Sequence, residues 1–162
     1  MNEQFFTTEV KGMERSLYRV AYSYLRSDED AADAVQDALL KGWEKRHTLR
    51  EEQYFRTWLT RILINVCSAR LRKHHFEIPL TEATAAARGD SLHEFYLRDA
   101  MADMDIKYRV PLTLFYLDGF SLKETAQMLG LPKGTVKSRI SRARDQLRNL
   151  LKDEEVFEDE AL

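Results

Sequence analysis

SLKETAQMLGLPKGTVKSRISRAR, the run from Ser121 to Arg144, decides the fold. Ser121 and Glu124 stand at capping-box spacing, in which the hydroxyl accepts from the amide three residues on and the carboxylate reaches back to the first amide. That spacing predicts a short helix from Ser121 through Leu129. Gly130 follows where a left-handed C-terminal cap is needed, a conformation glycine adopts without a side-chain penalty. Leu131-Pro132-Lys133-Gly134 reads as a tight connection, and a second helix begins near Thr135 with Val136, Ile140, Ala143 and Leu147 along one face. Lys137, Ser138, Arg139, Ser141, Arg142 and Arg144 occupy the other face, while the small Ala126 lets the helices approach closely. The pattern predicts a helix-turn-helix. Its second helix fits the major groove of duplex DNA, with arginine on guanine edges and lysine, serine and backbone amides on phosphates. A plain helical hairpin with a solvated basic face would share the charge, but needs neither the capping box nor the cap glycine.

Outward from this stretch, the rest of the 162 residues also reads as helix. Only three prolines and six glycines interrupt a chain that is 44% hydrophobic and 32% charged, enough apolar surface for packed cores. The net charge of −2 conceals two basic segments. Tyr54 to His75 contains no acid but carries Arg56, Arg61, Arg70, Arg72 and Lys73; Gly134 to Lys152 sets Lys137, Arg139, Arg142, Arg144, Arg148 and Lys152 against Asp145 alone. The balance comes mainly from Asp28, Glu29, Asp30, Asp33 and Asp37 and from an acidic tail of Asp153, Glu154, Glu155, Glu158, Asp159 and Glu160. One cysteine, Cys67, excludes an internal disulfide and a cysteine-based zinc site. With no signal peptide and no apolar run of roughly 18 residues, no membrane insertion is expected and a reducing cytoplasm is the natural compartment.

The periodicity predicts helices over Met13–Leu25, from Ser27 through Ala31, Ala34, Val35, Ala38, Leu39 and Trp43, and from Tyr54 to His75. The third buries Phe55, Trp58, Leu59, Ile62, Leu63, Val66 and Leu71; Lys45 to Gln53, charged and aperiodic, reads as a loop. Pro79, Gly89 and scattered threonines break the pattern over 76–90. Beyond it come a helix over Leu92–Met104 and another apolar period over Val110–Leu117, with Pro111 in the first turn, where its missing N–H is tolerated. The fold class is all-α: two small helical domains, 1–75 and 91–152, joined by a flexible linker over 76–90 and followed by an acidic tail over 153–162.

In the first domain Asp33 and Asp37 lie at i, i+4 with Gln36 beside them. They suit a basic partner surface and equally a solvated acidic face. On the third helix, Trp58 is either core or a platform for an unpaired base.

DGFSLKETAQMLGLPKGTVKSRISRAR, from Asp118 to Arg144, resembles region 4 of the extracytoplasmic-function (ECF) sigma factors almost position for position. Asp33-Ala-Val-Gln36-Asp37 with Trp43 resembles the region 2 helix that docks on the β′ clamp helices of core RNA polymerase. Phe55-Arg-Thr-Trp58-Leu through Asn65 and Arg72 resembles the helix that opens the -10 element. The resemblance implies -35 contacts from Lys133, Thr135, Lys137, Ser138, Arg139 and Arg142, with Arg144 on phosphate. It implies -10 contacts from Arg56, Arg61, Asn65 and Arg72, capture of a flipped base by the loop around His47 to Gln53, and polymerase docking through Asp33, Gln36 and Asp37. The partners it implies are core RNA polymerase, promoter DNA and an anti-sigma factor covering one or both basic faces. The family usually has Glu where Ala32 stands, Phe where Leu39 stands and Asp where Ala69 stands; Leu39 keeps the packing, while the two alanines remove polar groups.

No catalytic set competes with this reading. His93-Glu94 is followed by Leu97 where a metalloprotease helix would place its second histidine, His74 and His75 point to different faces, and no Gly-rich phosphate loop is present. Cys67 reads as a buried free thiol. Neither enzyme activity, nor a metal, nor a cofactor is expected. The main rival is a helix-turn-helix regulator binding duplex operators as a dimer, which would match palindromic half-sites and need not associate with polymerase. An adaptor that holds another sigma factor would not need two basic surfaces.

Overall fold

Helix α1 spans Glu3–Leu25, starting well before Met13, where the apolar period had been expected to open. The Asn2 side chain accepts from the Phe5 amide at 2.8 Å and caps it. Its first turns are held by aromatic packing: Phe5 and Phe6 each meet the Phe55 ring edge-on at 5.6 Å, and Phe6 meets Trp43 at 5.3 Å. The computed structural model describes residues 1–74 and 92–152, so the expected linker and acidic tail lie outside the described residues.

Helix α2 (Asp28–Glu44) opens on Ser27, whose Oγ accepts from the Asp30 amide at 3.2 Å. Two short 3-10 turns, Arg46–Thr48 and Glu52–Tyr54, occupy the expected loop and lead into α3 (Phe55–His74). These three helices form the first compact unit. Leu17, Val20 and Ala21 of α1, Ala31, Ala34 and Ala38 of α2, and Phe55, Leu59, Leu63 and Cys67 of α3 are fully buried. Each large apolar side chain so buried contributes about 1.5–3 kcal/mol. The buried face of α2 is almost all alanine and ends at Gly42, so α2 sits close to its neighbours: a Cβ at Gly42 would lie 2.8 Å from Leu59 Cδ1.

The second unit contains α4 (Leu92–Ala102), α5 (Ile106–Leu112) continuing into a π-helical turn (Thr113–Leu117), α6 (Leu122–Leu129) as far as Ala126, and α7 (Lys133–Lys152). Its start corrects the expectation for Pro111, which is the sixth residue of α5 and not in the first turn. Asp105 is the cap, accepting from the Lys107 amide at 3.0 Å, so the helix opens at Ile106, ahead of the apolar period expected from Val110. Arg109, charged yet buried, turns inward and donates to the carbonyls of Met104 at 2.5 Å and Ala102 at 3.4 Å, closing the end of α4. Pro111 lacks the amide that would continue the ladder, and the chain widens just after it. The Asp118 amide reaches back to Thr113 O and that of Phe120 to Leu114 O, with Gly119 at φ +73°.

Helix α7 runs beneath two apolar clusters. Ala143, Leu147 and Leu151 pack with Met101, Met104 and Leu112; Val136 and Ile140 pack with Ala126 and against Phe115, Leu122 and Leu131. Among the described residues there is no strand, and no helix is long and apolar enough to cross a membrane.

Candidate nucleic-acid interface

The capping box that predicts α6 is complete. Ser121 Oγ accepts from the Glu124 amide and Glu124 Oε1 from the Ser121 amide, both at 3.0 Å. At the other end Gly130 takes φ +64°, the Leu131 amide donates to Ala126 O at 3.1 Å and the Gly130 amide to Gln127 O at 3.3 Å. Those two bonds make a Schellman cap, completed by Leu131 packing beside Ala126. The turn is shorter than expected, because α7 starts at Lys133 and not near Thr135. Pro132 supplies the carbonyl that accepts from the Val136 amide at 3.1 Å.

With Val136, Ile140, Ala143 and Leu147 buried, the helical period assigns every other position on α7. The line opposite the core holds Gly134, Ser138, Ser141 and Asp145, all exposed and mostly small. Cations flank that line on both sides: Arg139 and Arg142, with the hydroxyl of Thr135, on one, and Lys133, Lys137 and Arg144 on the other. A narrow crest between long cationic side chains can enter a groove while the flanks reach both phosphate walls. Two tyrosines of the preceding segment meet these arginines. Arg142 hydrogen-bonds to the Tyr108 hydroxyl, which lowers the pKa of that phenol, and Lys107 lies 5.0 Å over the same ring. The Arg144 guanidinium lies 5.0 Å over the Tyr116 ring.

On α3 the structure brings three of the four expected residues together. Arg61, Asn65 and Arg72 are exposed along one line opposite the buried Leu59, Leu63 and Cys67. Arg56 is exposed in the first turn but rotated by about 140° from Arg61, so it does not join them. Trp58, left open between core and platform, pins the preceding loop. It is half-buried, tilts against Phe55 at 5.7 Å and donates from Nε1 to Thr48 Oγ1 at 3.3 Å. Thr48 in turn donates to Lys45 O, and Arg46 stacks 4.0 Å over Trp43 while donating to its carbonyl at 2.7 Å.

On α2, Asp33 and Gln36 are exposed on one line, and Leu40 continues it with 64% of its surface in solvent. Sequence reading missed Leu40, although its position seven residues after Asp33 was the available signal. Asp37 stands at the edge of that line and is held by Arg70 Nη2 at 2.6 Å. Cys67 is fully buried, and burial pushes its thiol pKa up to about 12, partly offset by Arg70.

Comparison with known proteins places both helical regions in known families. The family models Sigma-70 region 2 and Sigma-70, region 4 match residues 10–77 and 94–147. The chain is 36% identical over 141 residues to the ECF RNA polymerase sigma factor SigM of Mycobacterium tuberculosis, covering 85% of this chain and 72% of that protein. It is 29% identical over 156 residues to ECF RNA polymerase sigma factor SigW of Bacillus subtilis, covering 85% and 83%. Among solved structures it resembles the sigma factor RpoE of Bartonella quintana, crystallised with the anti-sigma factor NepR, with TM-score 0.80, 30% identity and coverage of 92% of this chain and 98% of that one. A chain that carries both Sigma-70 regions and these relatives belongs to the extracytoplasmic-function RNA polymerase sigma factors.

Proposed function

We propose that the chain divides this sigma-factor work between residues 1–75, which dock on core RNA polymerase and engage the -10 element, and residues 91–152, which hold the -35 element. The segment 76–90 links them and 153–162 is an acidic tail. The observation that carries the reading is the outward face of α7, a crest of small residues flanked by cations behind a fully capped helix-turn-helix. Lys133, Thr135, Lys137, Ser138, Arg139 and Arg142 contact the -35 duplex, and Arg144 contacts its phosphates.

Arg61, Asn65 and Arg72 track the opened -10 strand, where guanidiniums and exposed polar groups meet backbone and splayed bases. Arg56, off their line, contacts DNA from the loop side. Asp33 and Gln36 present acceptors to the β′ clamp helices, with Asp37 at the margin and Leu40 as the apolar centre of the patch. The protein works in the cytoplasm as a binding factor with no catalysis of its own. RpoE forms a complex with the anti-sigma factor NepR, and here an anti-sigma factor covers one or both basic faces.

Run-off transcription with purified core polymerase on a genomic fragment library tests the reading. Discrete transcripts should require the wild-type chain and vanish with Asp33→Arg. Absence of transcripts from the wild type, together with dimeric binding to duplex operators, would sink it.

A further inference from the structure

Arg144 is half-buried on α7, and its Nε is sealed from water without a hydrogen-bond partner. Leaving a cationic N–H in that state is unfavourable unless something else stabilises the charge. What lies against it is the Tyr116 ring, 5.0 Å from the guanidinium carbon to the centroid. The quadrupole of an aromatic face attracts a cation placed there.

Tyr116 is itself unusual in being 42% exposed. Its ring is fixed from behind by Phe115, met edge-on at 5.3 Å, and Phe115 packs into the core of Ala126, Val136 and Ile140. Its direction is set by the π-helical turn over Thr113–Leu117, where the Asp118 amide bonds to Thr113 O. A π turn holds one residue more than an α turn, and without it the ring would swing by about 100°. Single π turns inside helices recur at functional sites.

We propose that Tyr116 is a positioning residue, its ring a shelf that holds the Arg144 guanidinium ready for a DNA phosphate. The proposal rests on the reading of α7 as the DNA-facing helix. Guanidinium has five donors in a planar fork, and stacking one face on a ring fixes the plane while leaving the fork's edge to match a phosphate. Ordering the side chain beforehand removes part of the entropy that a free arginine loses on binding.

The test is fluorescence anisotropy of the full chain on a labelled duplex of arbitrary sequence at low salt, since a phosphate contact carries no sequence preference. Arg144→Ala should weaken binding and reduce the salt slope by about one phosphate. Tyr116→Ala should weaken it about two- to tenfold, Tyr116→Leu likewise, and Tyr116→Phe should bind as wild type, since only the ring face is needed. In the Arg144→Ala background Tyr116→Ala should cost nothing further. Additive losses, or Tyr116→Leu binding as well as wild type, would overturn the shelf. So would an effect of Arg142→Ala with none of Tyr116→Ala, which would leave the α7 reading intact. No loss from Arg139→Ala, Arg142→Ala or Arg144→Ala would instead overturn the α7 reading itself.

Discussion

Arg70 of α3 donates through Nη2 to Oδ2 of Asp37 on α2 at 2.6 Å, so one of the two aspartates expected to face a partner is already paired within its own unit. Asp33, one turn earlier, is exposed on the outward line with Gln36 and Leu40. The two carboxylates that look equivalent at i, i+4 therefore differ in what holds them.

The difference separates two effects of substitution. Asp33→Arg is expected to leave urea stability unchanged while abolishing association with core polymerase. Asp37→Arg should lose association and also about 1 kcal/mol or more of stability, because it replaces a charge-assisted bond with a like-charge contact beside Arg70. Urea melts and co-purification with core enzyme read the two effects separately. Equal stability loss in both variants would place Asp33 in an intramolecular role.

A pair of glycines isolates close packing from helix propensity. Gly12 lies inside α1 with nothing near its missing Cβ, whereas a Cβ at Gly42 would sit 2.8 Å from the buried Leu59 Cδ1. Both Gly→Ala changes gain about 0.8–1 kcal/mol of helix propensity. Gly12→Ala should therefore stabilise the protein. Gly42→Ala should destabilise it, because forcing Leu59 aside in a closed core costs about 1–3 kcal/mol. A stabilised Gly42→Ala in chemical denaturation would mean that Leu59 has room to move.

The Cys67 thiol is predicted to be silent. Its pKa is pushed up from 9.0 to about 12 by burial, and the neighbouring Tyr24 phenol is also raised, chiefly by burial. A folded-state pKa raised above the unfolded one gives stability that is complete below pH 9 and is lost as pH rises toward 12. Native protein at pH 8 should thus resist a thiol reagent until denatured, and Cys67→Ala should flatten part of the alkaline fall in stability. Rapid labelling of the native thiol would contradict its burial.

Local chemistry explains which parts of this were legible in the sequence. The helix-turn-helix was readable because Ser121, Glu124, Gly130 and the apolar period of α7 each act within a few residues of themselves. The start of α1 was not taken up, although Phe6, Val10, Met13 and Leu17 keep helical spacing, because its stabilising contacts are with Phe55 and Trp43 far along the chain. The burial of Arg109 has no local signature, since nothing in the neighbouring sequence reveals that the end of α4 supplies carbonyls for it. Arg70 and Asp37 likewise stand 33 positions apart, and their pairing is visible only once α2 and α3 pack. Trp58 was ambiguous for the same reason, its partner Thr48 lying in an aperiodic loop.

Asp145 gives a test whose sign distinguishes two kinds of DNA contact. It is the one acid on the crest of α7, exposed and in line with Ser138 and Ser141. Near phosphates a carboxylate is repelled, so Asp145→Asn should tighten binding to a duplex of arbitrary sequence about two- to fivefold at low salt. That gain should fade as salt shortens the range of the repulsion. Ser138→Ala, which removes no charge, should leave the salt slope unchanged. A carboxylate can also accept from the amino group of cytosine in the major groove, and in that case Asp145→Asn would instead weaken binding, and only on particular promoters. Measuring the variant on both an arbitrary duplex and a run-off template decides between them: a gain on the first makes Asp145 the boundary of the footprint, whereas a loss confined to the second makes it a reader of sequence.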